Sequence, residues 1–207
     1  MTDRLRHSLS RLERRTRRLL DELCTWTPEQ LRFRPSPASW SALELIEHLI
    51  LAERAVSEMM RSNISEERDV RMRDRFRSAL VLGLMALPLR LNVPDTVKQI
   101  MPSEMQPDLR SLRDSWSGDR CDLADFLGRL STADRNLGVF RHPVGGWTTA
   151  SGAMVFLRLH LWHHSYQFRR LRTTVRALQN ATASQGLPRP FPQNSATRLL
   201  CDSRELR

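Results

Sequence analysis

Three of the chain's six histidines fall within five positions of the stretch "LRLHLWHHSYQFRRL" (157–171): His160, His163 and His164. The others are His7, His48 and His142. Imidazole changes charge near neutral pH and is the commonest metal ligand. Such a cluster can therefore hold a divalent ion, or it can be polar decoration on an ordinary helix. The faces that the rings occupy separate these readings.

Helical periodicity sorts the cluster. Leu157, Leu161, Phe168, Leu171, Val175 and Leu178 mark an apolar stripe, and His160 and His164 fall in the same series. His163 shares its flank with Phe156, Leu159 and Arg170 instead. The pair at i and i+4 points inward on adjacent turns, close enough to share one ion. Gln167 stands one turn further on at the edge of the stripe, where it could hold a ligand histidine in place. Earlier in the chain, Leu45, His48, Ala52, Ala55 and Met59 repeat at steps of three and four, which puts His48 on an inward stripe too.

Three neutral imidazoles around one ion leave coordination positions for water or substrate, the arrangement of a reactive site. The competing reading is hydrogen-bonded core histidines. A lone inward His such as His48 ordinarily is one, whereas an i,i+4 pair on an apolar face is costly to satisfy without an ion. Glu44, Glu47 and Glu53 lie near His48 in sequence, but Glu44 has a capping role and the other two sit off its stripe. No G-x-S-x-G, H-E-x-x-H or dinucleotide fingerprint is present, and Gly145 and Gly146 read as turn residues.

The elements that must position these groups are helical. Glycine totals 8, β-branched alternation is nearly absent and 3.6-residue patterns dominate, which predicts an all-α chain. A first helix covers about 3–24, with Leu5, Leu9, Leu12, Thr16, Leu19 and Leu23 on one stripe. Pro28 suits a first helical turn, while Pro35 and Pro37 break the pattern. Ser41 and Glu44 have capping-box spacing at the start of a second helix, which runs beyond Met60 toward the charged stretch "SEERDVRMRDRFR". Prolines at 88, 94, 102 and 107 make 79–107 a long connection with short helical pieces. A third helix follows Pro107, with a break near Ser117–Gly118, and "FRHPVGGWTTAS" is a loop. Thr148 or Thr149 caps a fourth helix over about 150–178. Residues 1–179 thus form one four-helix-bundle domain, and 180–207 a loosely attached, proline-containing tail.

Composition narrows the function. A 207-residue chain with 40% apolar and 27% charged residues suits one globular domain. No apolar run is long enough to span a bilayer, and the N-terminus lacks a signal-peptide core, so a cytoplasmic protein without a membrane role is expected. The net charge of +10 comes almost wholly from arginine, with acidic residues interspersed, so specific nucleic-acid binding is not expected. Cys24, Cys121 and Cys201 are odd in number and far apart, which suggests free thiols.

Two stretches carry a family resemblance. "RFRPSPASWSALELIEHLILAE" resembles the second-helix motif of the DinB/YfiT-like bacterial four-helix bundles. "RHPVGGWTTASGAMVFLRLHLWHHSYQFRRL" is similar to that family's other hallmark, a His-Pro before a glycine turn and then a helix carrying H-x-x-x-H-x-x-Q. The likeness spans roughly 5–178. It implies an up-up-down-down bundle, often a homodimer, with a nickel or zinc ion held by His48, His160 and His164; His163 is extra to the motif. It further implies a metal-dependent enzyme using a low-molecular-weight thiol cosubstrate, as some relatives are thiol-S-transferases. The alternative is a non-enzymatic, metal-stabilised bundle acting in stress response or protein interaction.

Overall fold

The computed structural model of the chain describes residues 2–85, 101–103, 107–184 and 191. Six helices carry these residues: α1 (Asp3–Leu23), α2 (Pro28–Arg32), α3 (Ala42–Asn63), α4 (Met72–Met85), α5 (Leu109–Arg129) and α6 (Ala150–Ser184). A two-stranded antiparallel hairpin, β1 (Phe140–His142) and β2 (Gly146–Thr148), precedes α6. The fold is mostly helical, and none of the described helices is long and apolar enough to cross a membrane.

Local sequence sets the helix starts. Thr2 caps α1 by accepting from Leu5 N–H, and Thr27 and Gln30 close a capping box around Pro28 in α2. The expected box at α3 is present in both directions: Ser41 accepts from Glu44 N–H, and the Glu44 carboxylate accepts from Ser41 N–H. Thr149 is the cap of α6, since its hydroxyl accepts from Gly152 N–H at 3.3 Å.

The four long helices close on one core. α1 lies along α6, α3 packs on both α5 and α6, and α1 also touches α5. Leu5, Leu9, Leu12, Leu20 and Leu23 of α1 are buried, so the stripe turns onto Leu20 where Leu19 was expected. Opposite them lie Leu45, Ile46 and Leu49 of α3, Leu123 and Leu127 of α5, and Met154, Leu157 and Leu161 of α6. Each fully buried leucine contributes about 1.5–3 kcal/mol.

Cross-helix pairs give the directions. Arg15 over Trp162 and Glu22 with Arg172 rise together in number, so α1 and α6 are parallel. Thr16 with Arg120 and Asp21 with Arg113 run oppositely, so α5 is antiparallel to α1. His48 meets His160, while Asn63 reaches Val139 just before α6, so α3 is antiparallel to α6. The order is up, down, down, up. It corrects the up-up-down-down order that the resemblance implied. Parallel α3 and α5 need a connection that returns along the bundle, which is the use of the long segment between them.

Further differences have local causes. The second helix stops at Asn63, where a 3-10 turn and Glu67 in the left-handed region (φ 43°) redirect the chain into α4. α5 runs unbroken through Ser117–Gly118 and ends at Arg129. The expected loop after it is a hairpin, held to α4 by Ser78 Oγ–H donating to Gly145 C=O at 3.0 Å. α6 continues past Leu178 to Ser184. Cys24 takes part in a disulfide, against the free thiol expected; Cys121 is free and exposed, and Cys201 lies outside the described residues. The expected tail also lies outside them, apart from the end of α6 and Phe191, which is buried edge-on to Phe33 at 5.8 Å.

One polar group spans the core. Glu53 of α3 accepts from Trp116 Nε1–H at 2.9 Å and pairs with Arg120 of α5, which also donates to Thr16 Oγ1 of α1 at 2.9 Å. Both charged residues are buried, and the pairing satisfies them.

Candidate metal centre

α3 and α6 cross where their histidines stand. His48 is the seventh residue of α3, and His160 and His164 occupy successive turns of α6. Their Nε2 atoms converge: His48 to His160 at 3.3 Å and His164 to His160 at 3.1 Å. Among the described residues these three are the group of potential ligands close enough to share an ion.

Supporting contacts fix the rings. Gln167 Oε1 accepts from His164 Nδ1–H at 2.6 Å, which places the proton on Nδ1 and turns the Nε2 lone pair toward the other two histidines. Trp40 packs on His48 at 4.8 Å and stacks near His164 at 6.3 Å. Phe156 stacks on His160 at 5.6 Å, and His142 packs edge-on to Phe156 at 5.2 Å. His142 is itself held by Val144 and Gly145 N–H groups donating to its Nδ1. His48 and His164 are buried, whereas His160 keeps part of its surface exposed.

Electrostatics keeps the rings neutral. Burial, then the neighbouring His164, His48, His163 and His142, pushes His160 well below the usual histidine value. His164 is lowered to about 3 by burial and by His48, against a smaller upward pull from its bond to Gln167. Burial also lowers His142. With all three lone pairs turned inward the rings repel unless a cation lies between them; without one, a His160 protonated on Nε2 donates to a single neighbour. An ion bound at the usual ~2.0–2.1 Å to nitrogen in tetrahedral geometry sets its ligand nitrogens about 3.3 Å apart. The two separations to His160 match this, while all three ligand atoms lie within 4.8 Å of one another.

The nearby carboxylates are committed elsewhere. Glu44 is held by Arg34 and its capping box, Glu47 accepts from Ser103 N–H and Oγ–H at 3.1 and 2.7 Å, and Glu53 belongs to the Arg120 pair. His163 stays outside the triad; its ring lies 5.4 Å from His164, and its Nδ1 is buried without a partner among the described residues. His7 is exposed on α1. The aromatic walls were not foreseen. Trp40 directly precedes the Ser41 cap of α3, and Phe156 sits one turn before His160, a spacing that signals stacking on a helix.

Comparison with solved structures and with curated proteins finds no match. A family model described as the DinB superfamily matches residues 8–168. That span contains all three histidines, the first of the two motifs on which the resemblance rested and the second as far as Phe168. The chain belongs to the DinB superfamily.

Proposed function

We propose that this protein is a divalent-metal-dependent enzyme that uses a low-molecular-weight thiol, with His48, His160 and His164 holding a nickel or zinc ion. The convergence of His48 Nε2 and His164 Nε2 on His160 Nε2, at 3.3 and 3.1 Å, carries this reading. When bound, the ion acts as a Lewis acid that lowers the pKa of a thiol or water. The chain's own residues prepare for that chemistry. Gln167 holds the His164 tautomer, while Trp40 and Phe156 restrict water around the rings. No described carboxylate competes for the site, and His160 offers the partly exposed side through which a small molecule arrives.

The test is metal analysis of the untagged chain, then a screen for conjugation of thiols to electrophiles. About one divalent ion per chain is expected, lost in His160→Ala. Full occupancy in a His48→Ala/His160→Ala/His164→Ala variant would end the proposal. Burial of His48 and His164 under Trp40 favours a second reading, a non-enzymatic bundle that the ion merely stabilises. That reading expects metal-dependent stability with no turnover, and thiol conjugation that disappears with the ion counts against it. The homodimer implied by the resemblance is part of the proposal, and sedimentation equilibrium tests it.

A further inference from the structure

The far flank of α6 carries a second concentration of charge. Arg11, Arg14, Arg15 and Arg18 recur at steps of three and four along α1 and so share one face. Arg158 of α6 meets that face, and the five line a cavity of about 160 Å³ between the helices. The Arg15 guanidinium lies over the Trp162 ring, 5.2 Å from its centroid. Trp162 thus makes a fixed wall for it.

Among the described residues the cluster lacks the carboxylate partners that arginines elsewhere in the fold possess. Arg54 pairs with Asp119, Arg120 with Glu53, and Arg172 with Glu22 one step further along the same α1–α6 seam. Among the described residues no carboxylate lines the cavity, and Glu13 falls on the opposite side of the helical wheel. Like charges at i and i+4, as in Arg11 with Arg15 and Arg14 with Arg18, oppose helix formation. A fold that gathers five such groups around one hollow has a strong local preference for an anion there. Guanidinium forks match phosphate oxygens two at a time, which favours phosphate over a simple halide.

We propose that the cleft between α1 and α6, lined by Arg11, Arg14, Arg15, Arg18 and Arg158, binds a multiply charged phosphoryl group of a small molecule. The hollow opens to solvent, with the four α1 arginines exposed and Arg158 half-buried. Its volume suits one or two phosphoryl groups, supplied as free pyrophosphate or as the terminal phosphates of a nucleotide. This site is separate from the histidine triad, which faces α3 across the core.

The experiment is isothermal titration of the full chain with inorganic pyrophosphate at fixed ionic strength, with ATP and a short DNA duplex as parallel arms. Saturable binding is expected, and Arg14→Gln and Arg158→Gln each weaken it about tenfold or more, the scale of one lost charge-assisted hydrogen bond. Circular dichroism checks that these variants fold; neutralising the row relieves repulsion on α1. Matching ATP affinity with the same variant dependence supports the proposal and names the nucleotide as a source. The His160→Ala chain is titrated too, because pyrophosphate can chelate an ion at the triad, and unchanged binding is expected. Loss of binding in that variant overturns the proposal. So does a signal that sodium chloride reproduces, a signal retained in an Arg11→Gln/Arg14→Gln/Arg158→Gln chain, or binding of the duplex without pyrophosphate.

Discussion

His164 shows how one side chain outside the ligand set determines what the ligand can do. Its proton sits on Nδ1 because Gln167 Oε1 accepts there at 2.6 Å, leaving Nε2 free to bind an ion. Gln167→Leu removes that acceptor without touching a ligand. Metal affinity is expected to fall about 10–100-fold, with the helical content unchanged, in a competition titration against a chromogenic chelator. Protonation offers a second check. An ordinary histidine takes up its proton near 6.5, whereas His164 in the folded chain does so at about 3, and His160 is shifted in the same direction. Between those limits the unfolded chain binds more protons than the folded one, so stability rises with pH. For chelator-treated protein, this contribution is complete above about 6.5 and is lost as pH falls toward 3. Urea midpoints should therefore drop between pH 7 and pH 5, and less so in His160→Ala/His164→Ala. A wild-type midpoint no more pH-sensitive than the variant's would contradict the assignment of neutral, buried rings.

At the scale of elements, the helices are anchored by polar contacts as well as by leucine. Arg120→Met leaves the Glu53 carboxylate buried beside Trp116 with no counter-charge. The expected loss is about 3–5 kcal/mol in urea unfolding, and an added Glu53→Leu should recover much of it because no buried charge then remains. The hairpin depends on Gly146, whose φ of +76° favours glycine and whose position faces Asp74 of α4. Gly146→Ala puts a methyl group against that carboxylate as well as straining the backbone. A loss of about 1–2 kcal/mol or more is expected in thermal unfolding. Sequence reading placed α1, α3 and α6 well because their apolar residues face the core. It did not separate α4, whose buried residues are Asp74, Ser78 and Met85 while Met72, Phe76 and Leu80 face solvent. A binary pattern assumes apolar-in, and α4 reverses it. The hairpin was hidden for another reason: strands of three residues are too short to show alternation.

For the whole molecule, the proposed metal binding would be one equilibrium with folding, because the triad joins α3 to α6 across the bundle. An ion at a hundred times its dissociation constant adds about 2.7 kcal/mol to stability. Chelation should lower the melting temperature of the wild-type chain and leave the triple-alanine variant unmoved; equal shifts in both would place any bound ion elsewhere. The order of helices matters to the same end. With α3 running against α6, the seventh residue of α3 comes level with His160 and His164, about two turns and one turn before the middle of a 35-residue helix.

The sequence alone determined which faces of α1, α3 and α6 point inward, because apolar period, capping boxes and prolines act over a few residues. It therefore selected His48, His160 and His164 and set aside His163. Only the tertiary structure decided that His48 and His160, 112 positions apart, bring their Nε2 atoms to 3.3 Å. It also decided that Glu47 and Glu53 turn to Ser103 and Arg120, and that five arginines meet around one hollow. These are pairings between distant segments, fixed by how helices cross, and no local pattern encodes a crossing.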